Sequence, residues 1–282
     1  MMPRSAIFKR PRLLESPGVR TVSATRYVTP LREGGSLPAV IEADDDGLYV
    51  LKFRGAGQGV KALTAELVAG EIARALELPV PEIVLVELDV ELARTEPDPE
   101  IQDLIRASGG TNLGLDYLSG ALAFDPLADP SDADLASRIV WFDALVTNLD
   151  RTARNTNMLV WHRKLWLIDH GAALYFHHAG LGDAGAATQA FPLIREHVLL
   201  PAASRLAEVD AALADRLPRP VLERIVAMVP DSWLVEAGSV AAGDEPRTPA
   251  ARRDAYVAHF ARRLAAPRAF VREAARARNA DV

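Results

Sequence analysis

The chain has 282 residues, 49% hydrophobic and 25% charged, with a net charge of −6 and no cysteine. This is ordinary globular composition at a length that suits one large domain or two lobes. It excludes disulfides, thiolate metal sites and thiol nucleophiles, and it gives no footing to a general nucleic-acid binder.

Residues 1–30 mix Arg, Ser and Pro without a sustained period and read as a loosely ordered lead-in. They hold no apolar core of signal-peptide type, and no later run reaches membrane-spanning length. The expectation is a soluble, cytoplasmic protein with no membrane partner. "LREGGSLPAVIEA" (31–43) then reads as strand, Gly turn, strand, and "LYVLKFRG" (48–55) as a strong strand after the polar turn "DDDG". Lys61–Leu76 has helical period, with Leu63, Leu67, Val68, Ile72, Ala75 and Leu76 on one face. "LPVP" (78–81) stops it, and "EIVLVELDV" (82–90) is a fourth strand. A connector (94–100), a short helix (100–107) and the strand "LGLDYL" (113–118) follow.

Asp132–Asn148 is an amphipathic helix with Leu135, Ile139, Phe142 and Leu145 or Val146 inward. "MLVWH" (158–162) and "LWLID" (165–169) form a hairpin around a two-residue turn at Arg163–Lys164. From about residue 200 the pattern is helical: 202–215, 218–229, 246–265 and 267–279. The last two helices hold a run of arginines, read as a solvated face or else as a patch for an acidic partner.

The densest polar cluster lies in "FDALVTNLDRTARNTNMLVWHRKLWLIDH" (142–170). Asp150 and Asn155 fall in a loop between helix and strand, and Asp169 ends the partner strand. If the strands pair as drawn, all three lie at one edge. Carboxylate and amide oxygens without His or Cys suit Mg²⁺, and a further carboxylate would orient a hydroxyl for attack on phosphorus. Lys52 stands mid-strand among apolar residues, where a lysine must be paired. Glu66 on the next helix can supply the carboxylate; Glu71 is a second choice. The glycines of "EGGSLP" would let backbone N–H groups approach phosphate oxygens. Gly loop, strand lysine with helix glutamate, Asp-x4-Asn loop and later aspartate are the parts of kinase-type phosphoryl transfer, in the right order.

"NLDRTARNTNMLVW…LWLIDHG" resembles the catalytic and metal-binding segments of HipA-like kinases, and the D-R-x-x-x-N…I-D-x-G pattern of phosphoinositide kinases. "AELVAGEIARALELPVPE" resembles the helix-to-strand segment of HipA-like N-lobes, so the likeness covers roughly residues 31–200. It implies an α+β bilobal protein-kinase-like fold: a lead-in (1–30), a small antiparallel-sheet N-lobe with one helix (31–115) and a mostly helical C-lobe (116–282). It implies ATP and Mg²⁺ as cofactors and a protein Ser/Thr or small-molecule hydroxyl as acceptor; a protein partner is compatible with it. By position, Asp150 would be the catalytic carboxylate, and Asn155 and Asp169 would hold Mg²⁺. Lys52, paired with Glu66, would contact the α/β-phosphates, and Gly34, Gly35 and Ser36 would cover them. Asp116–Ser119 would be the hinge that meets adenine.

Two departures stand out. Only about thirty residues precede the Gly loop, where HipA toxins carry a further subdomain. Thr152 stands where many relatives place a histidine. The plainer readings are a turn serine for Ser36 rather than an autophosphorylation site, a hydrogen-bonded structural His170, and lid or loop positions for His177 and His178. Arg151 and Arg154 read equally as solvated charges or as neutralisers of a phosphate in transit. The competing function is a nucleotide-binding pseudokinase that regulates or scaffolds; a metal-dependent hydrolase would need a ligand set the chain lacks.

Overall fold

The computed structural model describes residues 18–31, 37–57, 59–129, 131–181, 185–235 and 248–280. Its N-terminal part is a closed five-stranded barrel of β1 (Thr21–Pro30), β2 (Ala39–Ala43), β3 (Leu48–Lys52), β4 (Ile83–Leu88) and β5 (Gly110–Asp116), in the order β1-β2-β3-β5-β4. Four of the pairings are antiparallel. A parallel β1–β4 pairing, Thr21 opposite Leu85, closes the barrel. Residues 21–30, expected as a lead-in, are therefore a strand. Its apolar signal is thin, because only Val22 is buried along it, and its order comes from antiparallel pairing with β2 and, at its start, from parallel pairing with a segment some sixty residues away.

Helix α1 (Val60–Ala75) follows β3, and α2 (Pro99–Ala107) sits between β4 and β5. Asp98 caps α2 by accepting from the Glu100 N–H, and Ile101 and Ile105 cover one end of the barrel core with Ile41, Leu51, Val84 and Val86. Every residue of α1 from Leu63 to Gly70 is buried. The one-faced pattern understates this, because α1 packs on the barrel and also joins the larger core of the C-terminal half. At Gly70 a Cβ would stand 2.4 Å from Ile83 Cδ1, so glycine sets how closely α1 approaches β4.

The C-terminal part opens with the short strand β6 (Leu122–Ala123) and α3 (Ala133–Val146), which Asp132 caps through the Asp134 and Leu135 N–H groups. Strands β7 (Met158–Trp161) and β8 (Lys164–Leu167) complete a three-stranded sheet, β6-β7-β8. The hairpin turn is His162–Arg163, one residue earlier than expected. Both residues have positive φ (48° and 62°), the backbone a two-residue turn needs to match strand twist. Helices α4 (Phe176–Ala179), α5 (Leu206–Asp215), α6 (Arg219–Ala227), α7 (Asp231–Leu234), α8 (Pro249–Leu264) and α9 (Ala269–Ala280) follow. Together with the N-terminal barrel they make a bilobal α+β fold of protein-kinase type. No helix among the described residues is long and apolar enough to cross a membrane.

The arginine run of α8 and α9 is not one solvated face. Arg263 is buried; its Nε donates to the Leu145 carbonyl (2.8 Å) and its Nη2 to the Ala144 carbonyl (2.7 Å), satisfying the end of α3. Burial pulls its pKa down to about 10. Arg268 pairs with Asp210 at 2.8 Å, and the same carboxylate accepts from Trp141 Nε1 on α3. The terminal helices are thus pinned to α3, while Arg272 and Arg276 stay exposed.

Candidate active site

Lys52 ends β3 between buried Leu51 and Phe53. Its ammonium lies 2.5 Å from Glu66 Oε2 on α1 and 2.5 Å from Asp169 Oδ1 after β8. Three elements far apart in sequence meet on one charge. Glu71, the second choice, pairs with Arg74 instead. Glu66 is fully enclosed, the Lys52 side chain is 12% exposed, and that of Asp169 is 47% exposed. Burial alone would pull Lys52 down, but Glu66 and then Asp169 overcome it and hold the lysine charged, above its ordinary range. Burial likewise pushes Glu66 up, and Lys52 followed by His170 reverses this to well below the usual carboxylate range. His170 Nδ1 lies 3.3 Å from Glu66 Oε1, and its ring sits edge-on to Phe142 at 5.7 Å.

Asp169 has φ 55°, a left-handed conformation that aspartate tolerates better than most residues. The chain turns there instead of continuing β8, and the carboxylate meets Lys52. Bonds from the Ala173 N–H to the His170 carbonyl and from the Leu174 N–H to the Val146 carbonyl anchor the next turn to the end of α3.

The loop after α3 begins at Thr147, also left-handed, and Asn148 Nδ2 donates back to Asp143 Oδ1. The Asp150 N–H donates to Asn148 Oδ1 (3.2 Å). Asn155 Nδ2 donates to Asp150 Oδ2 at 2.7 Å, and Asn157 Nδ2 reaches the same oxygen at 3.2 Å. Asp150 and Asn155 are therefore in direct contact. The loop is tied to the Asp169 segment by the Ile168 N–H bonding to the Asn157 carbonyl (3.0 Å).

Arg151 matches neither expectation for it. It is 1% exposed; its Nε donates to Asp143 Oδ2 (2.6 Å) and its Nη1 to the main-chain carbonyls of Asn157 and Ile168. His197 Nδ1 accepts from the Leu199 N–H, which leaves its Nε2–H to donate to Asp143 Oδ2 at 2.9 Å. The Val198 N–H returns to the Arg151 carbonyl. Burial would raise the Asp143 carboxyl, but Arg151 and His197 hold it well below the usual range. Sequence reasoning passed over Asp143. The available signal was a carboxylate at a core-facing position of "IVWFDALV", which demands buried partners. Arg154 is exposed.

Gly34, Gly35 and Ser36, in the loop joining β1 to β2, lie outside the described residues. In the segment proposed as hinge, the Asp116 N–H bonds to the Glu82 carbonyl and the Tyr117 N–H to the Leu48 carbonyl. The Ser119 carbonyl accepts from Trp161 Nε1 at 2.9 Å. These groups are thus engaged in holding the segment between barrel and β7. His177 is no loop residue: it is buried on α4, with Nδ1 2.9 Å from the Tyr256 hydroxyl of α8 and Nε2 3.1 Å from His178 Nε2. Burial, then His178 and Lys61, push its pKa down to about 3. A cleft of about 450 Å³ is lined by Lys61, Leu149, Ala172, Tyr175 and His178, between the start of α1, the residue before Asp150 and the segment after Asp169.

Among the described residues no group of three His, Asp or Glu side chains forms a ready-made metal cage. The donor set at Asn155 and Asp169 is of another kind. With Asn155 Nδ2 given to Asp150, its Oδ1 is left as an acceptor, and Asp169 commits only Oδ1 to Lys52. Two partly exposed oxygen ligands fit a hard cation that keeps waters and phosphate oxygens around it.

The family model described as HipA-like kinase matches residues 25–251. Among solved structures, the Helicobacter pylori proinflammatory kinase CtkA is similar at 12% identity with a TM-score of 0.51, covering 94% of this chain and 99% of that one. The Golgi casein kinase with Mn/ADP bound is similar at 12% identity with a TM-score of 0.43, covering 88% of this chain and 73% of that one. At this identity the CtkA likeness shows a shared fold. No curated protein sequence matches the chain significantly.

Proposed function

We propose that this chain, which belongs to the HipA-like kinase family and is a kinase, transfers the γ-phosphoryl group of ATP to a hydroxyl acceptor with the help of Mg²⁺. The observation that carries the reading is Lys52 held between Glu66 and Asp169. Glu66 is enclosed and Asp169 half open, so the lysine keeps the first when nucleotide enters and turns its remaining donors to the α/β-phosphates. Asp169, half exposed, and Asn155 would be the residues that hold the metal. Bound there, Mg²⁺ would neutralise charge on the phosphates. Asp150, oriented by Asn155 and Asn157, aligns the acceptor hydroxyl and takes its proton. Little covalent chemistry falls to the protein, so positioning dominates.

The cleft beside Leu149 and Ala172 is large enough for a small alcohol or for one side chain of a protein substrate. We assign the acceptor to it, the Gly34–Ser36 loop to the phosphates, and the Asp116–Ser119 segment to adenine. The pseudokinase alternative has no support in the site: the lysine, both aspartates and the asparagine are all present.

The test is a thermal melt of wild type and Asp169→Asn, with and without Mg-ATP, followed by a transfer assay. Nucleotide at about 100 times Kd should add roughly 2.7 kcal/mol to the native state. A metal-dependent gain in wild type that shrinks in the variant is the expected result. No gain at millimolar nucleotide would sink the reading.

A further inference from the structure

Glu66 divides its two oxygens: Oε2 to Lys52 and Oε1 to His170 Nδ1. Lys52 also binds Asp169, whose peptide bond leads directly to His170. The four side chains therefore close a ring, Lys52–Glu66–His170–Asp169, that spans β3, α1 and the turn after β8. His170 is 2% exposed, and its Nε2 has no partner among the described residues. Leaving a buried ring nitrogen unpaired is costly. A phenylalanine would fill the same place against Phe142 without that cost. Packing alone therefore does not account for a histidine here, and what it adds is the Nδ1 contact. Glu66, held deprotonated by Lys52, can only accept, so the proton of that contact sits on Nδ1.

We infer that His170 is a positioning residue for phosphoryl transfer: its Nδ1–H fixes the Glu66 carboxylate so that Oε2 stays aimed at Lys52 when nucleotide enters. The inference rests on the phosphotransfer reading above. Without His170, Glu66 keeps Lys52 only as long as Asp169 helps to hold it, and the ammonium loses its place when nucleotide enters.

The test uses the full chain with three substitutions. His170→Asn sets its amide nitrogen near the position of Nδ1, His170→Gln sets it near Nε2, and His170→Phe keeps the ring without a donor. Melts without ligand report folding, and Mg-ATP titrations followed by the melt report affinity. His170→Asn should bind within about threefold of wild type, while His170→Gln and His170→Phe should bind about tenfold more weakly. Equal affinity for the Asn and Gln variants overturns the inference, and so does an Asn variant as weak as the Phe one. Should the Phe variant not fold, the Asn–Gln pair decides alone. A long-range ¹H–¹⁵N spectrum of the free protein should show the Nδ1–H tautomer of His170; a ring protonated only on Nε2 overturns the inference whatever the nucleotide does. A wild type that binds no Mg-ATP removes the phosphotransfer reading together with this role. A wild type that binds it while the variants fail to separate removes this role alone.

Discussion

Two buried carboxylates in this molecule are built alike and serve different ends. Glu66 and Asp143 are both fully enclosed, and each holds one cation and one histidine: Lys52 and His170 for the first, Arg151 and His197 for the second. The difference lies in what the cation does next. Arg151 gives Nη1 to the Asn157 and Ile168 carbonyls, so its cluster is buried in the interior and joins the Asp150 loop to the strand end before Asp169, while Nη2 has no partner among the described residues. Lys52 spends its second contact on Asp169, which is half open to solvent. An ammonium is a compact charge that can exchange one oxygen for another, whereas a guanidinium fork is suited to fixed geometry. One cluster is a scaffold, and the other is a site able to change partners.

The largest expected effect tests the Asp143 cluster. Asp143→Ala strands the Arg151 charge in the interior and should lower stability by about 3–5 kcal/mol in urea unfolding. Asp143→Leu combined with Arg151→Met removes both charges and should recover much of that loss. A cost under about 1 kcal/mol for Asp143→Ala would mean that the cluster is no scaffold.

The open side should behave in the opposite way. Asp150→Asn should fold and bind Mg-ATP as wild type does, yet lose at least about a hundredfold in transfer, roughly 2.7 kcal/mol of barrier. Full transfer on any acceptor would remove Asp150 from its role. A loss of stability matching that of Asp143→Ala would erase the distinction between the clusters.

Acid separates both clusters from a third feature. His177 is held neutral to a pKa of about 3, against an ordinary 6.5. The unfolded chain takes up that proton as pH falls below 6.5 and the folded chain does not, so stability falls through this range. Glu66 and Asp143, both held low, keep their contribution above the ordinary carboxylate values of 4.5 and 3.8 and lose it only below them. Between pH 6.5 and 4.5 the loss therefore belongs to the α4 histidines, His177 and beside it His178, which burial and Lys61 also hold below its ordinary value, rather than to either carboxylate. His177→Leu should reduce the slope there by up to about 1.4 kcal/mol per pH unit in pH-dependent unfolding. An unchanged slope would place the titrating group elsewhere.

What could be read in advance follows from the same contrast. Lys52 is a charge inside a short apolar run, and Asp150, Asn155 and Asp169 are polar groups beside such runs, where charge stands out and spacing is local. Helices α1 to α3 and the β7–β8 hairpin show themselves by period and by capping residues. The barrel does not, because its closure depends on β1 meeting β4 in parallel, and β1 buries only Val22. Asp143 and His197 are 54 residues apart and mean nothing until the fold joins them. Arg263 is hidden in a run of arginines some of which, such as Arg272 and Arg276, face water, and only the packing of α8 on α3 distinguishes it.

The smallest expected effect concerns a choice local spacing left open. Glu66 and Glu71 both lie on α1, within reach of a strand lysine by sequence alone. In the structure Glu71 faces Arg74 one turn on, at 3.1 Å, and Glu66 takes the lysine. An i,i+3 pair on a helix surface contributes about 0.2–0.5 kcal/mol. Glu71→Gln should therefore shift the unfolding midpoint barely above error and leave Mg-ATP affinity unchanged. Glu66→Gln takes the charge from the enclosed partner of Lys52 and should weaken that affinity while the apo protein still folds, since a neutral amide is cheaper to bury than a carboxylate. Equal behaviour of the two variants in nucleotide titrations would show that α1 offers the lysine no preferred partner in solution. The open cluster would then have no fixed side from which to exchange.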